Sequence, residues 1–195
     1  AELNMLLNGD GNANLEYLDD EGSIFRKFDE KNDIVELNSN LHKNGNWDNW
    51  NDKTSIKKFD IVLTNPPFGK NRSMKPANTK EKERAEIYEL WNIARDGQSI
   101  DKGLIFLENT VRILKENGRF GIILSNSLAS VETWKDAREW LTRNIRIVGL
   151  FDLPANVFAD TGVNTTIIIG YKPNKQQLLK LNEKNYEIFV HDIQK

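Results

Sequence analysis

FDIVLTNPPFG, residues 59–69, opens on a continuous, branched apolar run and stops at Asn65, Pro66 and Pro67. A run without polar alternation is expected of a strand buried on both faces of a sheet. The two prolines lack backbone donors and must end it. Downstream, Leu104, Leu107, Val111 and Leu114 recur at helical spacing and Asn117-Gly118 supplies a stop, which predicts a helix from about Lys102 to Glu116. RFGIILSNS (119–127) reads as a second buried strand. Trp134, Ala137, Arg138 and Leu141 mark an amphipathic helix that ends before Ile145. IRIVGLFDLP (145–154), NTTIIIGYK (164–172) and YEIFVHDI (186–193) give three more strands. Strands and helices alternating in this way predict an α/β sheet, mainly parallel, with helices over its faces.

Outward from this core the texture weakens. Residues 70–102 lack clean periodicity, although Ile87, Leu90, Trp91 and Ala94 share one helix face. Residues 1–55 are rich in Asn, Asp and Gly, with only short apolar groups such as Met5 to Leu7 and Ile34 to Leu37. ELNMLLNG (2–9) reads as the end of a helix stopped by Gly9, so the chain is expected to begin inside an element. There is no internal repeat and no low-complexity tract.

Composition narrows the function classes. With 195 residues, 38% hydrophobic and 29% charged, the chain is too apolar for disorder and too polar for a membrane protein. No apolar run approaches the roughly 20 residues that span a bilayer, and no leader opens the sequence, so the cytoplasm is the default location. The absence of cysteine excludes a disulfide framework and a thiolate metal site. His42 and His191 are isolated, with no second ligand at metal spacing, and no metal is expected. A net charge of -2 does not suit a protein that coats nucleic acid by charge alone. Any such contact must be local, and the most basic stretch, Lys70 to Arg84, follows directly on Phe68. There Lys70, Arg72 and Lys75 suit phosphate contacts, and a solvated loop explains them equally well.

Asn65-Pro66-Pro67-Phe68 has a specific chemistry beside its ordinary one. Asn and Pro are common turn residues, so the tetrapeptide alone also describes a turn that closes a strand. Its place after a buried strand, where open α/β sheets hold ligands, favours the chemical reading. An exocyclic amine on a base is a poor nucleophile because its lone pair is delocalised into the ring. Acceptors that hold both amine hydrogens favour a tetrahedral nitrogen, and the Asn65 side-chain oxygen and the Pro66 carbonyl could be those acceptors. Pro66 and Pro67 fix the carbonyl in place, and Phe68 offers a face on which an extruded base can stack.

FDIVLTNPPFG, GLIFLENTVRILKENGRFGIILSNS (103–127) and FDLPANVFADTGVNTTIIIGYK (151–172), in this order, resemble the modification subunits of type I restriction-modification systems. These are adenine-N6 DNA methyltransferases, and the likeness covers about residues 59–172. The resemblance implies a Rossmann-like, S-adenosylmethionine-dependent methyltransferase fold and direct methyl transfer to a flipped adenine held at Asn65 to Phe68. It implies DNA, a sequence-specificity subunit and a motor nuclease as partners, and makes Phe158 the counterpart of an aromatic that packs on the other face of the base.

The departures from that family are equally specific. No glycine-rich cofactor turn precedes Asn65, and Gly9-Asp10-Gly11 is too short a substitute. ELNMLLNG resembles the helix that follows the family's second strand. The fold is therefore expected to be incomplete, lacking its first strands and the glycine-rich motif, with 1–58 an irregular lead-in, 59–172 the target-base half and 173–195 a C-terminal extension. Such a fragment is expected to be inactive alone, and the edge of the 59–64 strand to need a partner. A family acid near the cofactor adenine corresponds to Asp19 or Asp20, and an ordinary polar turn answers as well. Trp47 and Trp50 could stack on a base or pin their loop to the body, and pinning is the simpler role. Asp152 and Asp160 are taken as structural. The motif also answers to other planar amines, namely cytosine N4, an RNA base or a protein glutamine, and a non-catalytic interaction module is the rival of a different class.

Overall fold

The computed structural model describes residues 58–67, 73–155, 157–158, 162–182 and 185–193. The chain divides at Lys57 and Lys58, and all described residues belong to the second unit, Lys58–Lys195. Its strands are β1 (Phe59–Thr64), β2 (Ser73–Met74), β3 (Ile100–Asp101), β4 (Leu114–Ser125), β5 (Arg146–Leu153), β6 (Thr165–Tyr171) and β7 (Phe189–Asp192). Its helices are α1 (Thr79–Glu86), α2 (Glu89–Ala94), α3 (Lys102–Ile113), α4 (Ser127–Ser130), α5 (Lys135–Asn144) and α6 (Lys175–Asn182).

Five strands form one sheet in the order β1-β4-β6-β5-β7. β1 pairs parallel with β4 and β5 parallel with β7, whereas β6 runs antiparallel to both of its neighbours. Four strands therefore point one way and β6 alone is reversed. The reversal suits an 11-residue connection, because a parallel return needs a longer crossover. All five strands expected from the sequence are present. The two-residue strands β2 and β3 form a separate antiparallel ribbon.

Each strand shows why it lies where it does. In β4, Phe120, Ile122 and Leu124 alternate with less buried neighbours and are nearly inaccessible, as one face against the helical layer requires. β1 departs from the expectation of burial on both faces. Ile61 and Leu63 are 62% and 79% exposed, and among the described residues β1 pairs only with β4. An edge strand with one covered face exposes the alternate set of side chains. Gly170 on β6 illustrates how tightly neighbouring strands pack within the sheet. A Cβ there would lie 2.4 Å from the Arg146 carbonyl and 2.7 Å from the Phe120 ring. Gly170→Ala is therefore expected to lower stability by roughly 1–3 kcal/mol, the scale of overpacking, read as a lower denaturation midpoint in urea.

Helix α3 is buried along most of its length, from Gly103 to Arg112 apart from Phe106. Asp101 caps its start by accepting the Gly103 N–H at 2.8 Å. The helix ends at Ile113, three residues before the expected stop, because Leu114 already pairs with Phe59. Lys172 then takes the Val111 carbonyl with its ammonium at 2.8 Å, satisfying an end that the helix itself cannot. Inside the helix layer lies an ion pair, Glu108 with Arg112, whose side chains are 1% and 4% exposed. The Glu108 carboxylate also accepts the N–H groups of Glu89 and Leu90 at 3.0 and 2.8 Å, and Arg112 donates to the Ile87 carbonyl at 2.7 Å. One buried carboxylate thus fastens the start of α2 to α3.

Candidate active site

Asn65, Pro66 and Pro67 leave the carboxyl end of β1, as the sequence predicts. Asn65 is exposed, Pro66 buried and Pro67 exposed, so the turn presents the Asn65 amide outward over an anchored proline. β1 reaches this point in parallel register with β4, Thr64 facing Ile122, which brings the end of β4 alongside. Here a cleft of about 240 Å3, its open mouth included, is lined by Pro66, Pro67, Asp101, Gly103, Ile123, Leu124, Ser125 and Trp134. The Ser125 hydroxyl is buried without a hydrogen-bond partner, as is that of Thr165, its register partner on β6. A buried hydroxyl without a partner costs roughly 1–3 kcal/mol relative to a paired one.

The same end of the sheet carries a second polar group of residues. The Thr166 hydroxyl lies 2.5 Å from Asp152 Oδ1 and 2.7 Å from Asn126 Oδ1, so the start of β6 meets the end of β5 and the residue that follows β4. The connection between β5 and β6 carries Phe158, which is half-buried. Lys75 follows β2 and is exposed. Phe68, Lys70, Arg72, Asp19 and Asp20 lie outside the described residues, as do Trp47, Trp50 and His42. Ser125, Asn126 and Thr166 were not singled out by the sequence, and Trp134 was read only as part of a helix face. The signal available was SNS after a buried strand, polar residues at a strand's carboxyl end just as in β1.

Asp152 belongs to this polar group, and its contacts agree with a structural role. Among the described residues no group of three or more His, Cys, Asp or Glu is placed to hold a metal ion. His191 lies on β7 with its ring 6.1 Å from that of Phe189. Among the described residues no helix is long and apolar enough to cross a membrane. Asn65 and Pro66 stand at the carboxyl end of a parallel strand pair, where open α/β sheets bind their ligands.

Comparison with known proteins gives a consistent picture. The Eco57I restriction-modification methylase family model matches residues 1–158. Over 130 residues the chain is 26% identical to the type II restriction enzyme and methyltransferase RM.Eco57I of Escherichia coli, covering 66% of this chain and 13% of the relative. A Listeria monocytogenes protein described as a class I S-adenosylmethionine-dependent methyltransferase superposes with a TM-score of 0.53 at 16% identity, over 71% of this chain and 38% of its own. The type I restriction-modification system methyltransferase subunit of Streptococcus thermophilus aligns at 26% identity and a TM-score of 0.46, over 61% of this chain and 25% of its own. The sheet, with its single reversed strand, thus shares the Rossmann-like fold of S-adenosylmethionine-dependent methyltransferases. The chain spans well under half the length of either the Escherichia coli or the Listeria protein.

Proposed function

Because the chain belongs to the Eco57I restriction-modification methylase family, we propose that it carries the target-base side of site-specific DNA adenine-N6 methylation in the cytoplasm. The observation that carries this reading is the position of Asn65 and Pro66 at the carboxyl end of β1, exposed amide over buried proline. An adenine turned out of the duplex brings its N6 amine to that turn. The Asn65 side-chain oxygen accepts one amine hydrogen and the Pro66 carbonyl the other. As the nitrogen becomes tetrahedral its N–H groups grow more acidic and both hydrogen bonds strengthen, so the acceptors favour the transition state over the ground state. Pro66 and Pro67 hold the turn without further ordering cost. S-adenosylmethionine is the proposed methyl donor, with Asp19 or Asp20 the candidate contact to its adenine.

Phe68 is proposed to stack on the extruded base, Phe158 to close on its other face, and Lys70, Arg72 and Lys75 to meet phosphates. Phe68→Ala is then expected to weaken binding of the flipped base by about 1–3 kcal/mol, the value of a base-aromatic stack. A fluorescent base analogue at the target position reads this directly, and undiminished extrusion removes Phe68 from the site. The 195-residue chain alone is proposed to be inactive, since no glycine-rich cofactor turn precedes Asn65 in its sequence.

For the assembly, the likeness of residues 59–172 to type I modification subunits supports a complex with a separate specificity subunit and a motor nuclease. A second arrangement is favoured by the Escherichia coli relative, a type II restriction enzyme and methyltransferase whose name joins both activities. Methyl incorporation by the purified protein with and without a co-expressed specificity subunit decides between them. Dependence on the subunit supports the type I complex, and full activity without it supports the type II arrangement. Nucleoside mass spectrometry of the product separates N6-methyladenine from methylation of cytosine N4, the rival amine in DNA.

A further inference from the structure

The Asp152, Thr166 and Asn126 contacts obey a simple proton count. A hydroxyl has one hydrogen, and it lies 2.5 Å from a carboxylate oxygen and 2.7 Å from the Asn126 amide. The carboxylate is the stronger acceptor and takes it. Asn126 Oδ1 is the second acceptor within reach of the same hydroxyl. The Thr166 hydroxyl thus stands between Asp152 Oδ1 and Asn126 Oδ1 and joins the three side chains in one chain of contacts. Asn126 is held further by its backbone, which donates to the Asn164 carbonyl at 3.0 Å and accepts from Ala129 at 3.0 Å.

The position of this chain matters more than its strength. Asp152 faces Thr166 in the β5–β6 register, and Leu153 faces Thr165. Both feet of the connection that carries Phe158 therefore stand at this point. Asn126 follows β4, the strand whose ladder holds β1 and the Asn65 turn. The chain is thus a side-chain link between the Phe158 connection and the Asn65 side of the sheet.

We propose that Asn126, Thr166 and Asp152 are positioning residues that hold the Phe158 connection at a fixed distance from the Asn65 turn, setting the width of the slot that receives the target base. The proposal rests on the functional reading above, in which Asn65 and Phe158 bound that slot. The test uses the full-length enzyme with a fluorescent adenine analogue at the target position, read alongside kcat and KM for DNA. Thr166→Val removes the hydroxyl at nearly constant shape. It is expected to reduce base extrusion about tenfold or more, the effect of losing roughly one directed hydrogen bond, and to raise KM for DNA more than it lowers kcat. Thr166→Ser restores both, and Asn126→Ala, at a less buried position, reproduces the loss. A Thr166→Val or Asn126→Ala enzyme that extrudes the base as the wild type does overturns the inference alone. A wild type that extrudes no base overturns the functional reading, and the inference with it.

Discussion

Asn65→Ala in the full-length enzyme is expected to lower the methyl-transfer rate by about 10²- to 10³-fold, the scale of removing one preorganised transition-state hydrogen-bond partner. Folding should survive, because Asn65 is exposed and lies beyond the last residue of β1. DNA binding should change little, since the missing acceptor matters chiefly when the amine nitrogen becomes tetrahedral. The loss should therefore fall on kcat. Asn65→Asp keeps an acceptor oxygen in place and should lie between the two. Comparable single-turnover rates for wild type and Asn65→Ala would remove Asn65 from the chemistry, whatever the protein methylates.

The second large effect is on stability and has its origin far from the turn. Glu108→Ala leaves the Arg112 guanidinium buried and strips the Glu89 and Leu90 N–H groups of their acceptor. Removing one member of a buried ion pair costs roughly 3–5 kcal/mol, because the remaining charge stays where water cannot reach it. Much of the marginal stability of a domain, about 5–15 kcal/mol, is then lost. The local consequence should be detachment of α2 from α3, which also disturbs the 2.8 Å bond from the Trp140 indole to Glu89 and so the packing of α5. Urea denaturation with amide exchange tests both parts. Glu108→Ala as stable as wild type would show that the pair contributes nothing net, and intact protection of α2 would show that Glu108 does not anchor it.

Most of the sheet was legible because its strands are long apolar runs closed by turn residues, and their burial follows from that pattern alone. α3 and α5 were legible for the matching reason, an apolar stripe at helical spacing. Of the three helices that periodicity missed, α4 is a single turn, and α1 and α6 each begin with a reciprocal cap. Asn78 accepts the Glu81 N–H at 3.0 Å while Glu81 accepts the Ala77 N–H at 2.6 Å, and Asn174 and Gln177 exchange backbone N–H bonds in the same way. Charge runs obscured a capping signal that the sequence does contain. The two-residue ribbon of β2 and β3 is too short to show any period. At the site, Asn65 to Pro67 could be placed from the sequence because strand, turn and chemistry are contiguous. Ser125, Asn126 and Thr166 could not, since their meaning arises only when the ends of three strands stand side by side. The exposure of Ile61 and Leu63 was hidden for a related reason, as an apolar run does not say which of its faces the rest of the fold covers.

The most direct test of the central claim is the identity of the methylated base. The full-length wild-type and Asn65→Ala enzymes are incubated with S-adenosylmethionine and DNA containing the recognised site, and the digested product is quantified by nucleoside mass spectrometry. N6-methyladenine from the wild type, reduced at least 10²-fold in the variant as loss of a transition-state acceptor requires, is the predicted result. Methylation at any other atom, or equal N6-methyladenine from both enzymes, would contradict it.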